Sequence, residues 1–221
     1  MDTIDYKTFD KPAAIINELK EFFGPKCSGI KINGEPNTFF NEPKKPMKFC
    51  EAVNYSFNVP IIMKENILDC PGARRSLGFD RDSDKLAKTI SKNAHMPRDY
   101  IRELLNDVPV INTTIKNILM GITADMGENT IPDVYIIYTR PDKIMKFIHT
   151  LTRMKIKPNI PPYNLNSICG SVFSRAYQNR EITISFGCPD SRKYGGVKND
   201  EVILCLPNEY AEYFINENSV T

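Results

Sequence analysis

The sequence predicts an α+β fold: a single domain over residues 1–221, with a mixed β-sheet flanked by helices. Three observations predict it. Short apolar runs of strand length alternate with stretches of helical period. Pro and Gly punctuate the junctions between them, with 16 Pro against 11 Gly. No internal repeat, low-complexity tract or linker interrupts the pattern.

A first helix is expected over 12–23, where Pro12 suits an early helical position and Ile15, Leu19, Phe22 and Phe23 share a face. Gly24-Pro25 ends it. Ser28 to Ile32 reads as a strand running into Asn33-Gly34, a turn or hairpin dipeptide. Glu35 to Pro46 is rich in Pro, Asn and Lys and reads as a surface connection. Helical spacing returns with Phe49, Val53 and Phe57, and a strand follows around Pro60 to Met63. Asp82 or Ser83 caps a helix carrying Leu86, Ile90 and Ala94, and Pro97 opens the next. Val134 to Tyr138 is an apolar strand, and Ile144, Phe147, Ile148 and Leu151 mark the helix after it at i, i+3, i+4 and i+7. Ile182 to Phe186 and Val202 to Leu206 are strands, and Glu209 to Ile215 a closing helix.

The bulk numbers exclude several classes of function. A 41% hydrophobic and 25% charged composition argues against disorder. With 29 basic against 27 acidic residues, the chain lacks the basic excess that a nucleic-acid partner demands. Lys44, Lys45 and Lys48 read as a solvated loop face. No apolar run is long enough to span a bilayer, so no membrane partner is expected. The start, Met1-Asp2-Thr3-Ile4-Asp5, is acidic and carries no signal-peptide core, so a cytoplasmic location is expected. In that compartment the six cysteines are core thiols, reactive thiols or metal ligands rather than disulfides.

Familiar catalytic devices are missing: no Gly-rich nucleotide loop, no phosphate loop, no Gly-x-Ser-x-Gly elbow. His95 and His149 are the only histidines, and His149 lies inside a helix. Cysteine therefore carries the candidate chemistry. Cys27 and Cys205 read as small core residues. Cys50 lies on the helix after the Pro- and Lys-rich loop, and Cys70 precedes Pro-Gly at a chain break. Cys169 precedes Gly170 at a loop-to-helix junction after Asn164-Leu165-Asn166-Ser167, and Cys188 precedes Pro189 in the loop between the last two strands. Four thiolates suit an iron–sulfur cluster or tetrahedral zinc. Neither Cys-x-x-Cys pairing nor ferredoxin spacing occurs, so inert thiols stay open as the simpler reading. Arg74 and Arg75 follow one Cys-Pro, and Arg192 and Lys193 the other. With the Gly195-Gly196 backbone they are candidates to cradle a small anionic ligand. The alternative is a helix-capping or ion-pairing role for each arginine.

These segments carry a family resemblance. Phe49-Cys50-Glu51-Ala52-Val53, Cys70-Pro71-Gly72-Ala73-Arg74 with Leu77-Gly78, Pro132-Asp133-Val134 to Tyr138 leading to Met145, Cys169-Gly170, and Ser185-Phe186-Gly187-Cys188 through Ser191-Arg192-Lys193-Tyr194-Gly195-Gly196 match it. The chain resembles, over about residues 27–207, the uncharacterised family called domain of unknown function one-sixty-nine, of archaea and anaerobic bacteria. The resemblance implies recurring cysteines at Cys50, Cys70 and Cys169 and, less uniformly, at Cys188. It thereby implies metal or [4Fe-4S] ligation, for which an anaerobic setting is apt. It implies no activity. A metal-free binding protein or thiol enzyme for a small anionic metabolite, with Cys70 or Cys188 activated by a neighbouring arginine, remains the alternative. The oligomeric state is left open.

Overall fold

The computed structural model describes residues 12–122, 130–161 and 165–218. Met1 to Asp5 and Asn164 lie outside them. Among the described residues the chain forms one six-stranded sheet in the order β2-β3-β1-β4-β6-β5. Its strands are β1 (Cys27–Ile32), β2 (Ile61–Met63), β3 (Ile118–Ile122), β4 (Val134–Thr139), β5 (Thr183–Ser185) and β6 (Val202–Pro207). The sheet differs from the mixed one expected. Every strand ladder is antiparallel, and parallel pairing is confined to isolated bridges such as Asn41 with Ile61. The Asn-Gly dipeptide after β1 makes a turn but no hairpin. Asn33 takes a φ of 56° and the chain leaves the sheet, so β1 pairs with β3 and β4 instead.

Helices cover both faces of this sheet. They are α1 (Pro12–Phe23), α2 (Phe49–Ser56), α3 (Pro71–Ser76), α4 (Ser83–Ala94), α5 (Arg98–Asn106), α6 (Pro141–Arg153), α7 (Arg175–Asn179), α8 (Pro189–Lys193) and α9 (Asn208–Asn218). Strand alternation sorts the apolar side chains between the faces. On β4, Tyr135 and Ile137 face α1, α6 and α9, while Val134, Ile136 and Tyr138 face α2, α3 and α7. The first face is closed by edge-to-face rings, with Phe147 5.4 Å from Phe23 and 4.9 Å from Phe214. The second holds Phe49, Val53, Ala73, Leu77 and Phe173. This second face carries the cysteines considered below.

Two local devices shape that face. β1 and β3 slip register between Gly29 and Ile30, which leaves Gly121 as an extra residue on β3 with a φ of 82°. A β-carbon on Gly121 would stand 2.8 Å from the Ser56 carbonyl oxygen, so this bulge admits only glycine and lets α2 close onto the sheet. The other device is a π-helical segment, Ser167–Ser174, all of whose residues are buried. Its serines are inside because each hydroxyl is satisfied there. Ser167 bonds Ser185 at 2.8 Å, Ser171 donates to the Leu165 carbonyl, and Ser174 to the carbonyls of Cys169 and Ser76. No helix among the described residues is long and apolar enough to cross a membrane.

Candidate functional site

Cys27 and Cys205 stand apart from the other cysteines. Cys27 lies in the core under α1, and Cys205 is fully enclosed in the middle of β6. Burial pushes both thiols up, Cys27 to about 12, so each is inert. They are core residues, as their sequence setting suggests.

The remaining cysteines sit where short elements begin. Cys70 is the residue before α3 and Cys188 the residue before α8, each in extended backbone with Pro at the first helical position. Cys50 is the second residue of α2, and Cys169 lies inside the π-helical segment. Tertiary contacts draw these elements together. The Cys50 thiol donates to the Asp190 carbonyl at 3.6 Å, tying α2 to α8. A β-carbon on Gly195 would stand 3.0 Å from that of Cys50, so glycine lets the exit of α8 lie on α2. Gly72 likewise leaves room for the Asn166 amide, which would stand 2.4 Å from a β-carbon there and brings α3 onto the π-helical segment.

The Cys169 thiol lies beside Cys70 and donates to the Asn166 carbonyl at 3.7 Å. Cys169 is the largest influence lowering the Cys70 thiol to about 6. The Ala73 N–H and the Lys48 charge add to it, while burial and Asp190 oppose. Cys169 is held well above its ordinary value by the neighbouring Cys70, by burial, and by the charges of Cys188 and Cys50. Burial, then Cys70, Cys188 and Asp190, pushes Cys50 up to about 12. The result is a Cys70 thiolate beside Cys50 and Cys169 thiols that stay protonated. In metal-free protein, alkylation of Cys70 by iodoacetamide is expected to rise through a midpoint near pH 6, because the thiolate is the nucleophile. An unperturbed thiol would rise near pH ~8.5. Mass-spectrometric rates at Cys70 across that range check it; a midpoint above pH ~8 would remove the activated thiolate.

Lys48 belongs to this site and not to a solvated loop face as expected. Lys44 and Lys45 are exposed, whereas Lys48 is partly enclosed. Its Nζ lies 3.3 Å from Asp190 and 4.9 Å from the Tyr194 ring centre. Burial works against its charge, but Asp190 and Cys70 outweigh it and hold the lysine above its ordinary value. Its position two residues before Cys50 is the sequence signal that singles it out from the other two lysines. The short helices α3 and α8 were legible in principle too. Both begin Cys-Pro-x-x-Arg, at Cys70 to Arg74 and at Cys188 to Arg192.

The arginines are not gathered into one cradle. Arg75 is 5 % exposed and donates to Ser83 and to the carbonyls of Leu105 and Val108, which closes the end of α5. Arg74 pairs with Glu65 at 2.7 Å, and Arg192 braces its own loop through the carbonyls of Phe186 and Lys198. Lys193 lies over the Tyr194 ring at 5.0 Å. Gly196, at a φ of 67°, packs against Asn54, so the Gly195-Gly196 backbone serves the contact with α2.

As placed, no three His, Cys, Asp or Glu side chains among the described residues are arranged to share one metal ion. The model of a family described as uncharacterised ArCR, DUF169, matches residues 28–217. The chain belongs to the DUF169 family. No curated protein and no solved structure matches it. The DUF169 match runs from β1 into α9 and takes in Cys50, Cys70, Cys169 and Cys188, while Cys27 falls one residue outside.

Proposed function

We propose that this DUF169 protein binds an iron–sulfur cluster, of the [4Fe-4S] kind, through Cys50, Cys70, Cys169 and Cys188. The observation that carries the reading is that α2, α3, α8 and the π-helical segment bring thiols from separate stretches of chain near enough to influence one another's charge. The donor set suits a cluster better than a single ion. A tetrahedral ion with bonds of ~2.3 Å holds its sulfurs within about 4 Å of one another. A cluster takes its thiolates on different irons and so spreads them wider. Thiols that suppress one another's ionisation also call for a compensating cation, which cluster iron provides. The Asn166 Nδ2, buried without a hydrogen-bond partner beside Gly72, offers a donor toward a sulfur-rich group. Lys48 offsets negative charge on the Cys70 side. When bound, such a cluster supplies one-electron transfer or an iron Lewis acid.

The low pKa of Cys70 favours a second reading, a thiol enzyme with Cys70 as nucleophile and Cys169 beside it. His95 at the end of α4 and His149 on α6 belong to other elements, so Lys48 would be the nearby cation. Protein purified without oxygen separates the readings. The cluster reading expects brown protein with iron and acid-labile sulfide in equal amounts, and all these cysteines shielded from iodoacetamide. Colourless, iron-free protein in which Cys70 alone is alkylated rapidly at neutral pH would reject it in favour of the second.

A further inference from the structure

The sheet face opposite Cys50 and Cys169 carries a concentration of positive charge. From Lys143 to Lys157 the chain holds five lysines and arginines and His149, and no acid, in a protein whose net charge is only +2. α6 presents part of this run as one row. Lys146, His149 and Arg153, at i, i+3 and i+7, are exposed, while Ile144, Phe147 and Leu151 are buried in the core. None of the three pairs with an acid among the described residues. Like charges at this spacing repel. The C-terminal end of α6 accounts for Arg153, since a helix end favours a cation in its last turn. It does not account for Lys146 and His149. The row also borders a cavity. Lys146, His149, Thr150, Thr152 and Arg153 line a recess of about 500 Å³ together with Phe22, at the end of α1. That volume falls within the roughly 300–1,000 Å³ of small-ligand sites. No carboxylate lines it. The Phe22 ring is held by edge-on contacts with Phe23 at 4.7 Å and Phe214 at 5.1 Å, and the Lys143 ammonium lies 5.4 Å over it. Arg153 donates from one arm to the Thr150 hydroxyl at 3.4 Å, which steadies the guanidinium and leaves its other N–H groups uncommitted.

We propose that this recess binds a small phosphate ester, its phosphate on Lys146, His149 and Arg153 and its organic body against Phe22. A guanidinium fork beside an ammonium matches the oxygens of a phosphate group. The aromatic residue favours an ester with an organic body over free phosphate. The enclosure favours a small molecule over a nucleic acid, which needs a longer track of phosphate contacts. Lying on the other side of the sheet from Cys50 and Cys169, the site is independent of the cluster reading.

The test measures binding of phenyl phosphate to the full chain by calorimetry at fixed ionic strength, with inorganic phosphate and a short DNA duplex as comparison probes. Lys146→Gln/Arg153→Gln is set beside Lys44→Gln/Lys45→Gln, which removes the same charge from another exposed stretch, one whose recess is also lined by Glu42 and Glu51. All four substituted side chains are exposed, so both variants are expected to fold, and their unfolding temperatures check it. The wild-type chain is expected to take up one phenyl phosphate, more tightly than inorganic phosphate. Affinity for phenyl phosphate is expected to fall about 10-fold or more in Lys146→Gln/Arg153→Gln and to change less than about twofold in the control. Phe22→Leu is expected to weaken phenyl phosphate and leave inorganic phosphate as it was. Absence of saturable phenyl phosphate binding, or equal losses in the two double variants, overturns the site. Tighter binding of the duplex than of phenyl phosphate, abolished by Lys146→Gln/Arg153→Gln, overturns it too and makes the row a nucleic-acid surface.

Discussion

If the proposed cluster is bound, Cys70→Ser is expected to yield folded protein that holds no iron. Cys70 is the thiol lowered to about 6, by Cys169, the Ala73 N–H and the Lys48 charge against its burial. On the cluster reading it would therefore be the ligand that needs least reorganisation to bind a cation. Serine oxygen is a harder, more basic donor and stays protonated, so affinity should fall by at least the roughly 10–100-fold seen for lost supporting partners of metal ligands. The fold should survive for a local reason. Cys70 stands immediately before α3, with Pro71 next, and serine is among the best residues at that position. Iron and sulfide per chain, read beside the unfolding temperature, check the prediction. Iron retained at wild-type stoichiometry would falsify the assignment of Cys70 as a ligand. Cys27→Ala, in the opposite core, should keep its iron even if it unfolds earlier.

Much of the frame was legible because long periodic segments state their burial openly. The helix over 12–23 and the cap at Asp82 fall where the residues place them, and Asp82 accepts from the backbone of Asp84 and Lys85. β3 was not anticipated. Its Ile-Leu-Met-Gly-Ile run is short and broken by a bulge glycine, so its strand character comes from pairing with β1 and β2. α3 and α8, at 6 and 5 residues, are too short to show a helical period. The π-helical segment misled differently. Cys169 read as a loop-to-helix junction after a polar stretch ending at Ser167, and only tertiary partners such as Ser185 and the Ser76 carbonyl explain why the segment's serines are buried. For the site, Cys70, Cys169 and Cys188 could be named from the Pro or Gly that follows each, and Cys50 from its place after the Pro- and Lys-rich loop, but their contacts could not. The arginines show why adjacency in sequence is weak evidence. Arg74 and Arg75 are consecutive on one helix, yet they reach Glu65 and the end of α5 respectively.

That dependence of the site on tertiary packing leads to the second large effect, at Phe173. This side chain is fully enclosed in the π-helical segment, its ring 5.1 Å from Phe49 on α2 and 6.2 Å from Tyr177 on α7. It joins the segment carrying Cys169 to the helix carrying Cys50. Phe173→Ala removes the ring and leaves a cavity that neighbours on a buried sheet face cannot fill. The cost should be about 3–5 kcal/mol, or roughly 6–20 °C in unfolding temperature for a chain of this size. Phe173→Leu, which keeps most of the volume, should lose much less. The two variants separate stability from site geometry. Loosening the segment draws Cys169 away from the Cys70 thiol that it lowers, so in metal-free Phe173→Ala below its melting range the alkylation midpoint should move up from about 6. Phe173→Leu should hold that midpoint. An alanine variant that melts early but alkylates as the wild type would show that Phe173 supports the core alone, and that the Cys70–Cys169 pair is set by the serine hydrogen bonds of the segment instead.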